Sequence, residues 1–466
     1  MNPSLSQSIG IVEATDEGGR SPSKENEKEV PNVPNFTKDV DKKENVDTSA
    51  SIDDIVSQIT KLSIKKSDTE EDSKVKTAFT WDSRCLKHEA NRDHLEKPER
   101  VVEILNEIKH QGLFSKLQMV EGRLASKEEL CREEGGYGPH TKDHVKTVDD
   151  SVHLTFKPRV KSEDDPEDSK LYPPCHYIDS DTYVNEYSNI AARTAVGCVL
   201  NVTKSVLEGS ATNGFAAIRP PGHHAGFHNF SGFCLYNNVA AAAKYAKEKF
   251  PEICKKILIL DWDVHHGDGT QQIFYEDPSV LFISIHRFTK DFFPCTGRAS
   301  EVGKGRGKGY NINIPLEQAG LGNQHYAAVF KHIVIPVAQR FSPDLILISA
   351  GFDCVVGDPV GGMNVTPEGL KALTEMLMAP EIQKDGRIVM VLEGGYNTKM
   401  VAKAATRCLE ALMGHHGPQL DPISIDRENT TDGKFSTTIQ NCLRVHSRYW
   451  PLKYEIRRSS RRPKKA

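Results

Sequence analysis

At 466 residues, 38% of them hydrophobic and 27% charged, the chain has room for one large domain with tails or for two ordinary domains. A formal net charge of -4 is too small to argue for a nucleic-acid or membrane surface by itself, and no run of roughly 18 apolar residues suggests a spanning helix. The 10 cysteines contain no CxxC pair, which sets aside zinc-finger and thioredoxin-like motifs; with no apolar core for a signal peptide near Met1, the reading is a soluble protein with free thiols in a reducing compartment.

Residues 1–76 are rich in Ser, Asp, Glu, Lys and Asn and hold little to bury, the composition of a disordered tail. One island, Ile52, Ile55, Val56, Ile59 and Leu62, recurs at helical spacing. It is read as a transient helix without a role, a helix that folds onto a partner being the alternative. A folded domain is expected over 77–456, with SEDDPEDSK (162–170) as an acidic loop inside it. Four continuous apolar runs, KILIL (256–260), VLFISI (280–285), LILISA (345–350) and IVMVL (388–392), suit strands buried on both faces of a parallel sheet. Between them lie helical patterns. Asn238–Lys249 is Ala-rich, and Tyr326–Gln339 puts Tyr326, Val329, Phe330, Ile333 and Val337 on one side with a kink at Pro336. Thr366–Met378 opens on a Thr-Pro cap and repeats Leu370, Leu373 and Leu377. Alternating strands and helices predict an α/β domain with a mostly parallel central sheet. The last residues, RRSSRRPKKA (457–466), form a basic tail: a solvated end, a nuclear-import signal or an electrostatic contact with acidic partners.

Chemistry-bearing residues follow each strand. KILIL leads into Asp261-Trp262-Asp263-Val264-His265-His266-Gly267-Asp268, VLFISI into His286, LILISA into Gly351-Phe352-Asp353, and IVMVL into Glu393-Gly394-Gly395-Tyr396. Ligands of open α/β sheets bind at the carboxyl ends of strands, so these groups gather where the architecture puts a site. In an extended chain Asp261, Asp263 and His265 share one side while Trp262 and Val264 pack on the other. A carboxylate, an imidazole two residues on and Asp353 from a neighbouring strand end can hold one cation and leave a position open, the pattern of a catalytic zinc. The same set would accept iron(II) or cobalt(II). Any one of these residues alone is more simply a turn former or a cap, whereas their clustering at successive strand ends favours a site. His223 and His224, in the Pro/Gly-framed loop Arg219-Pro220-Pro221-Gly222-His223-His224, can serve as general base and acid, as metal ligands, or as loop residues without a role. Tyr396 follows two glycines that would let the backbone swing its hydroxyl to a substrate, where it could stabilise an oxyanion; the plainer reading is a packed turn residue. GKGRGKG (303–309) has GxGxxG spacing but no strand before it and no helix after it, and His415-His416 lie beyond the last strand with no role assigned.

RPPGHHAG, ILDWDVHHGDGT, SAGFDCVVGDPVGG and LEGGYN, in this order, resemble the signature blocks of the zinc-dependent histone deacetylases, most closely class II, over about Thr80 to Pro451. The resemblance implies an arginase-like three-layer α/β fold and hydrolysis of N6-acetyl-lysine to lysine and acetate. It implies one zinc per chain on Asp263, His265 and Asp353, tandem catalytic His223 and His224 supported by Asp261 and Asp268, and Tyr396 polarising the amide carbonyl. Phe233 and Phe293 would grip the lysine methylenes, Gly232 and Gly395 would line the substrate site, and Asp181 in SDTY would accept from the substrate backbone at the rim. The family also carries potassium, here at Ser284 beside the Asp261–Asp263 segment and at carbonyls near Phe274, Val280 and Tyr310. Implied partners are acetylated histone tails or other acetylated proteins and a corepressor complex, with no sequence-specific nucleic-acid binding and no membrane. The implied location is the nucleus, with the cytoplasm as a second compartment.

Departures from the family pattern sharpen the reading. Tyr396 stands where feeble class II members carry His. Asp268 stands where class II relatives usually have Asn, and its charge is expected to raise the pKa of His224. Val360 replaces the acidic gatekeeper of polyamine deacetylases, favouring a peptide substrate, and HNFSG (228–232) departs from relatives at the tunnel rim. The alternatives are a deacylase of small acetylated amines or longer acyl groups, a silent acetyl-lysine-binding scaffold, and a structural domain.

Overall fold

The computed structural model describes residues 75–154, 175–383 and 385–454. The Ile52–Leu62 island, the acidic loop 162–170 and the basic tail 457–466 lie outside the described residues, so the domain limits at 77 and 456 stay expectations.

Eight strands form one sheet. In chain order they are β1 (Thr77–Thr80), β2 (Gln118–Met119), β5 (Asn213–Ala216), β6 (Ile257–Asp261), β7 (Val280–Arg287), β8 (Asn311–Leu316), β9 (Leu345–Ala350) and β10 (Ile388–Leu392), with spatial order β2-β1-β5-β10-β9-β6-β7-β8. Every pairing in this sheet is parallel. A separate antiparallel ribbon joins β3 (His176–Tyr177) to β4 (Tyr183–Val184). The four runs picked out in the sequence are the centre of the sheet. Their continuity has a direct cause: on β6, Ile257 and Ile259 enter one core cluster while Leu258 and Leu260 enter the other, so both faces are covered. Each such side chain contributes roughly 1.5–3 kcal/mol on burial.

The helices Ser188–Leu207 and Asn238–Lys249 cover one face. Glu99–His110, Pro367–Leu377, Thr398–Leu412 and Gly433–His446 cover the other. By length and hydropathy alone Ser188–Leu207 would pass as a membrane span, but most of it is buried in the domain, where it acts as a core helix. Asn238–Lys249 matches its predicted limits, and Thr366 caps Pro367–Leu377 by accepting from the Gly369 N–H at 3.1 Å.

The structure corrects two local expectations. Tyr326–Gln339 is not one kinked helix: an α-helix Asn323–Val329 widens into a π-turn, Phe330–Val334, before Ile335–Phe341 resumes. Pro336 has no N–H to give back to the preceding turn, and the widened turn comes just before it. Asp261 and His286 are also strand residues rather than followers of strands. The GKGRGKG segment is a loop with one 3₁₀ turn, Gly305–Gly307, leading into β8 and no helix.

Candidate active site

At the carboxyl ends of β6 and β9, Asp263, His265 and Asp353 bring ligand atoms within 4.8 Å of one another, all buried. The backbone supplies much of this order. Asp263 Oδ1 accepts the His265 N–H at 2.9 Å and its Oδ2 the Gly394 N–H at 2.8 Å; Asp353 Oδ1 accepts the Val264 N–H at 2.7 Å. Three features fit a cation. Asp353 Oδ2 lies 3.2 Å from His265 Nδ1 in a geometry that makes no hydrogen bond, so a buried carboxylate oxygen is left over. Burial, then the charge of Asp263, pushes the Asp353 carboxyl up to about 7, a crowding of negative charge that a divalent ion relieves. Gly394 leaves the space open: a Cβ there would collide with Asp353 Oδ2 and lie 2.5 Å from Asp263 Oδ2 and 3.2 Å from the Tyr396 hydroxyl. Two carboxylates and one imidazole are a donor set for zinc in a catalytic, three-ligand site.

Asp261 points elsewhere. His223 Nδ1 donates to its Oδ2 at 3.0 Å, and His224 Nδ1 donates to Asp268 Oδ1 at 2.7 Å, with the two imidazoles 4.0 Å apart between centroids. The nearby carboxylates decide the two histidines differently. Burial disfavours charge on both, yet Asp263 and Asp261 outweigh it at His223 and hold that imidazole well above its ordinary pKa. At His224, burial and then His223 win over Asp268, and the pKa falls to about 4. Asp268 does raise it, as expected, but a net rise does not follow. Tyr396 is also fixed rather than swinging. Asp358 Oδ2 accepts its N–H at 2.7 Å, and burial, with Asp353 and Asp263 nearby, keeps its phenol protonated.

The two phenylalanines flank this centre. The Phe293 ring stands edge-on to His224 at 4.9 Å and is 43% exposed; Phe233 stands edge-on to Tyr396 at 5.9 Å. Phe233 has φ 69°, a left-handed backbone that costs about 1–3 kcal/mol in a bulky residue and persists only where the surroundings hold it. Its N–H donates to Thr182 Oγ1 at 3.1 Å. Gly232 has no room for a Cβ, which would lie 2.6 Å from His224 and 3.0 Å from Phe293. Gly395 packs just as closely on Phe352 at φ 111°. Asp181 is exposed on the β3–β4 hairpin, with Asp179 Oδ1 accepting its N–H at 2.8 Å.

The residues expected for potassium sit deeper. Ser284 pairs in register with Asp261, its hydroxyl 2.9 Å from His286 Nδ1. Phe274 O accepts the Asp277 N–H at 3.0 Å, Tyr310 O the Phe282 N–H at 2.9 Å, and Val280 opens β7.

Several supports were not read from the sequence. Glu393 Oε2 accepts the N–H groups of Gly222 and His223 at 2.6 and 3.1 Å, and with Cys234 and His223 it makes a second buried trio within 4.8 Å. Unlike the first trio, its carboxylate is occupied on both oxygens, Oε1 accepting from the Ser349 hydroxyl at 3.1 Å. Below the site Glu96 takes Arg219 bidentately at 2.8 and 2.6 Å and Arg100 at 3.2 Å. Burial alone would raise the Glu96 carboxyl, but Arg219 holds it down to about 2. Arg100 in turn donates to the carbonyls of Glu393 and Gly395, on either side of the Gly394 gap. Phe292 lies flat on the His265 imidazole, 5.0 Å away at 4°, and the Arg287 guanidinium lies 4.4 Å from the Phe292 ring. The signal in sequence was present for Arg219, inside the RPPGHH block, and for Glu393, inside LEGGYN; the other partners come from distant segments.

Comparison with known proteins gives one consistent result. A family model described as the histone deacetylase domain matches residues 94–412. The chain is 38% identical over 381 residues to histone deacetylase 15 of Arabidopsis thaliana, covering 80% of this chain and 63% of that protein. It is 40% identical to histone deacetylase 9 of Homo sapiens, over 75% of this chain and 35% of that one. Histone deacetylase 4 of Caenorhabditis elegans is 37% identical, over 80% of this chain and 43% of the relative. The chain thus spans less than two thirds of the length of each of these relatives. The solved crystal structure of the HDA15 HD domain superposes with a TM-score of 0.70 at 37% identity, covering 81% of this chain and 96% of that one.

Proposed function

Because the chain belongs to the histone deacetylase family, we propose that it hydrolyses N6-acetyl-lysine in proteins, histone tails among them, to lysine and acetate. The observation that carries the reading is the buried Asp263–His265–Asp353 trio, with its leftover carboxylate oxygen, facing the Tyr396 hydroxyl across Gly394. A zinc ion on those three residues would supply Lewis-acid polarisation of the amide carbonyl and a hydroxide nucleophile at neutral pH.

The chain's own groups do the rest. Phe233 and Phe293 bound an apolar passage for the four methylenes of the side chain, and they exclude water from the reacting carbonyl. The protonated Tyr396 hydroxyl donates to the oxygen on which negative charge develops, a task that depends on its position more than on its acidity. His224, neutral near pH 7, takes the proton of the attacking water and returns it to the departing lysine nitrogen as the carbon–nitrogen bond breaks. A nearby cation would keep His224 neutral more firmly still. His223, charged on Asp261, fixes its neighbour's loop and balances the carboxylates behind it. Tyr396 in place of His and Val360 in place of an acid support an active enzyme that takes peptides.

The same reading extends to a class II-like corepressor subunit in the nucleus, with the basic run 457–466 as import signal and potassium beside Ser284 as a structural ion. The deciding experiment assays the purified, zinc-loaded full chain on an acetyl-lysine peptide beside Tyr396→Phe and with a hydroxamate chelator. Turnover that falls at least 100-fold in the variant, by the usual worth of an oxyanion donor, and stops with chelator is the expected result. A zinc-loaded wild type that binds the peptide without cleaving it would replace the enzyme by an acetyl-lysine-binding scaffold.

A further inference from the structure

One side chain has no part in the chemistry above, yet it touches both Phe233 and the hairpin that carries Asp181. His94 Nε2 lies 3.1 Å from the backbone carbonyl of Asp181, a pure acceptor, so the ring proton sits on Nε2 and is donated there. Nδ1 faces both the N–H and the carbonyl of Glu96, each at 3.1 Å, and with the proton on Nε2 it accepts from the N–H. The face and edge of the ring are used as well. It stands edge-on to Phe233 at 5.0 Å and 82°, and to Tyr183 at 4.9 Å and 74°. Glu96, on which it leans, is immobilised by Arg219 and Arg100. Thr182, next to Asp181, accepts the Phe233 N–H and closes the circuit.

We propose that His94 is a positioning residue for peptide recognition, setting the Asp181 carboxylate at a fixed height above the Phe233 wall. The proposal rests on the deacetylase reading and names its substrate class: acetyl-lysine within an extended peptide, whose main-chain N–H groups the carboxylate accepts. The Asp181 side chain is exposed, and among the described residues the Ser180 hydroxyl alone donates to its Oδ2, at 3.4 Å. A single acetyl-lysine without flanking peptide bonds offers no such donors, so it gains nothing from the arrangement.

Two substitutions separate the roles of the ring. His94→Phe keeps the edge-on packing against Phe233 and deletes both hydrogen bonds; His94→Gln keeps a donor toward Asp181 and removes the ring. Zinc-loaded full chains are assayed on an acetyl-lysine peptide and on the single acetylated residue, with kcat and KM read separately. For His94→Phe the peptide KM should rise about tenfold with kcat little changed, the loss of one charge-neutral contact and the carboxylate it aims. The single-residue kcat/KM should stay within about twofold. His94→Gln should recover part of the peptide KM. In a double-mutant cycle Asp181→Ala should add little to His94→Phe, because both remove the same contact. Equal losses on both substrates, no change on either, or additive effects in the cycle would overturn the proposal. A wild type inert on both substrates would instead sink the deacetylase reading beneath it.

Discussion

Asp358 holds Tyr396 by its backbone: the carboxylate Oδ2 accepts the tyrosine N–H at 2.7 Å, while Oδ1 takes the N–H groups of Val360 and Gly361 at 2.8 and 3.0 Å. One side chain therefore fixes both the backbone of Tyr396, the proposed oxyanion donor, and the turn that carries Val360. Arg100 holds the Gly395 carbonyl at 2.6 Å and Asp263 the Gly394 N–H at 2.8 Å, so Asp358 is the restraint on the next residue, at the Tyr396 N–H itself. Asp358→Ala should lower kcat by about 100-fold, the scale of a 1 Å misplacement, while the KM for an acetyl-lysine peptide moves far less. Steady-state kinetics at matched zinc content, with a thermal melt to confirm folding, would measure it. A variant with wild-type kcat would mean that Tyr396 is held by its own packing.

The stack of Arg287, Phe292 and His265 bears on metal retention. On the proposed reading His265 is a metal ligand, and an imidazole pressed flat on the Phe292 ring is held toward the two carboxylates, so an ion would meet a ready-made set. Phe292→Leu should weaken zinc about 10-fold or more in a competition with a chromogenic chelator. The prediction fails if the variant and the wild type lose zinc at the same chelator concentration.

Stability toward acid should be governed by buried neutral histidines. His446, at the end of the closing helix Gly433–His446, is driven down to about 4 by burial, which outweighs the Asn313 backbone beside it. Its folded pKa lies below the ordinary 6.5, so between those values the unfolded chain binds the extra proton and stability is lost as the pH falls. From pH 6.5 to 5 this one group accounts for about 2 kcal/mol. His446→Leu should flatten the dependence of the urea midpoint on pH in that window and raise the midpoint at pH 5 relative to the wild type. Parallel curves would assign the acid sensitivity to other groups.

How much of this could be read from the sequence depended on local pattern. The four central strands announced themselves because strands covered on both faces need apolar residues without a break, and the site residues stood at their ends. The outer strands gave no such signal. Thr77–Thr80 is too short, Asn213–Ala216 carries a glycine, and in Asn311–Leu316 two asparagines turn inward, their amides both donating to Gln271 Oε1 at 2.8 and 2.7 Å. The helix around Pro336 was legible as a helix but not as a widened one, since a π-turn leaves the apolar spacing nearly intact. At the site, Asp263, His265 and Asp353 were legible as types at strand ends. The supports were not: Glu96, Arg100 and Phe292 look like ordinary helix and loop residues until the fold brings them under the centre. The sign of the His224 shift was missed for a related reason: burial, and the charge that Asp263 and Asp261 hold on the adjacent His223, belong to the packed site, and only the effect of Asp268 was weighed.

The place of β10 in the sheet also bears on how the protein is made. It lies between β5 and β9, with Val389 opposite Gly214 on one side and Ile388 opposite Ile346 on the other. Without it, β2-β1-β5 and β9-β6-β7-β8 share no ladder at all. On the ribosome most of the chain must therefore emerge while two half-sheets wait with bare edges, a slow and aggregation-exposed interval that favours chaperone assistance. The strand that ends the wait leads straight into Gly394 and Tyr396, so a chain cut short before Ile388 has neither a closed sheet nor the Tyr396 hydroxyl.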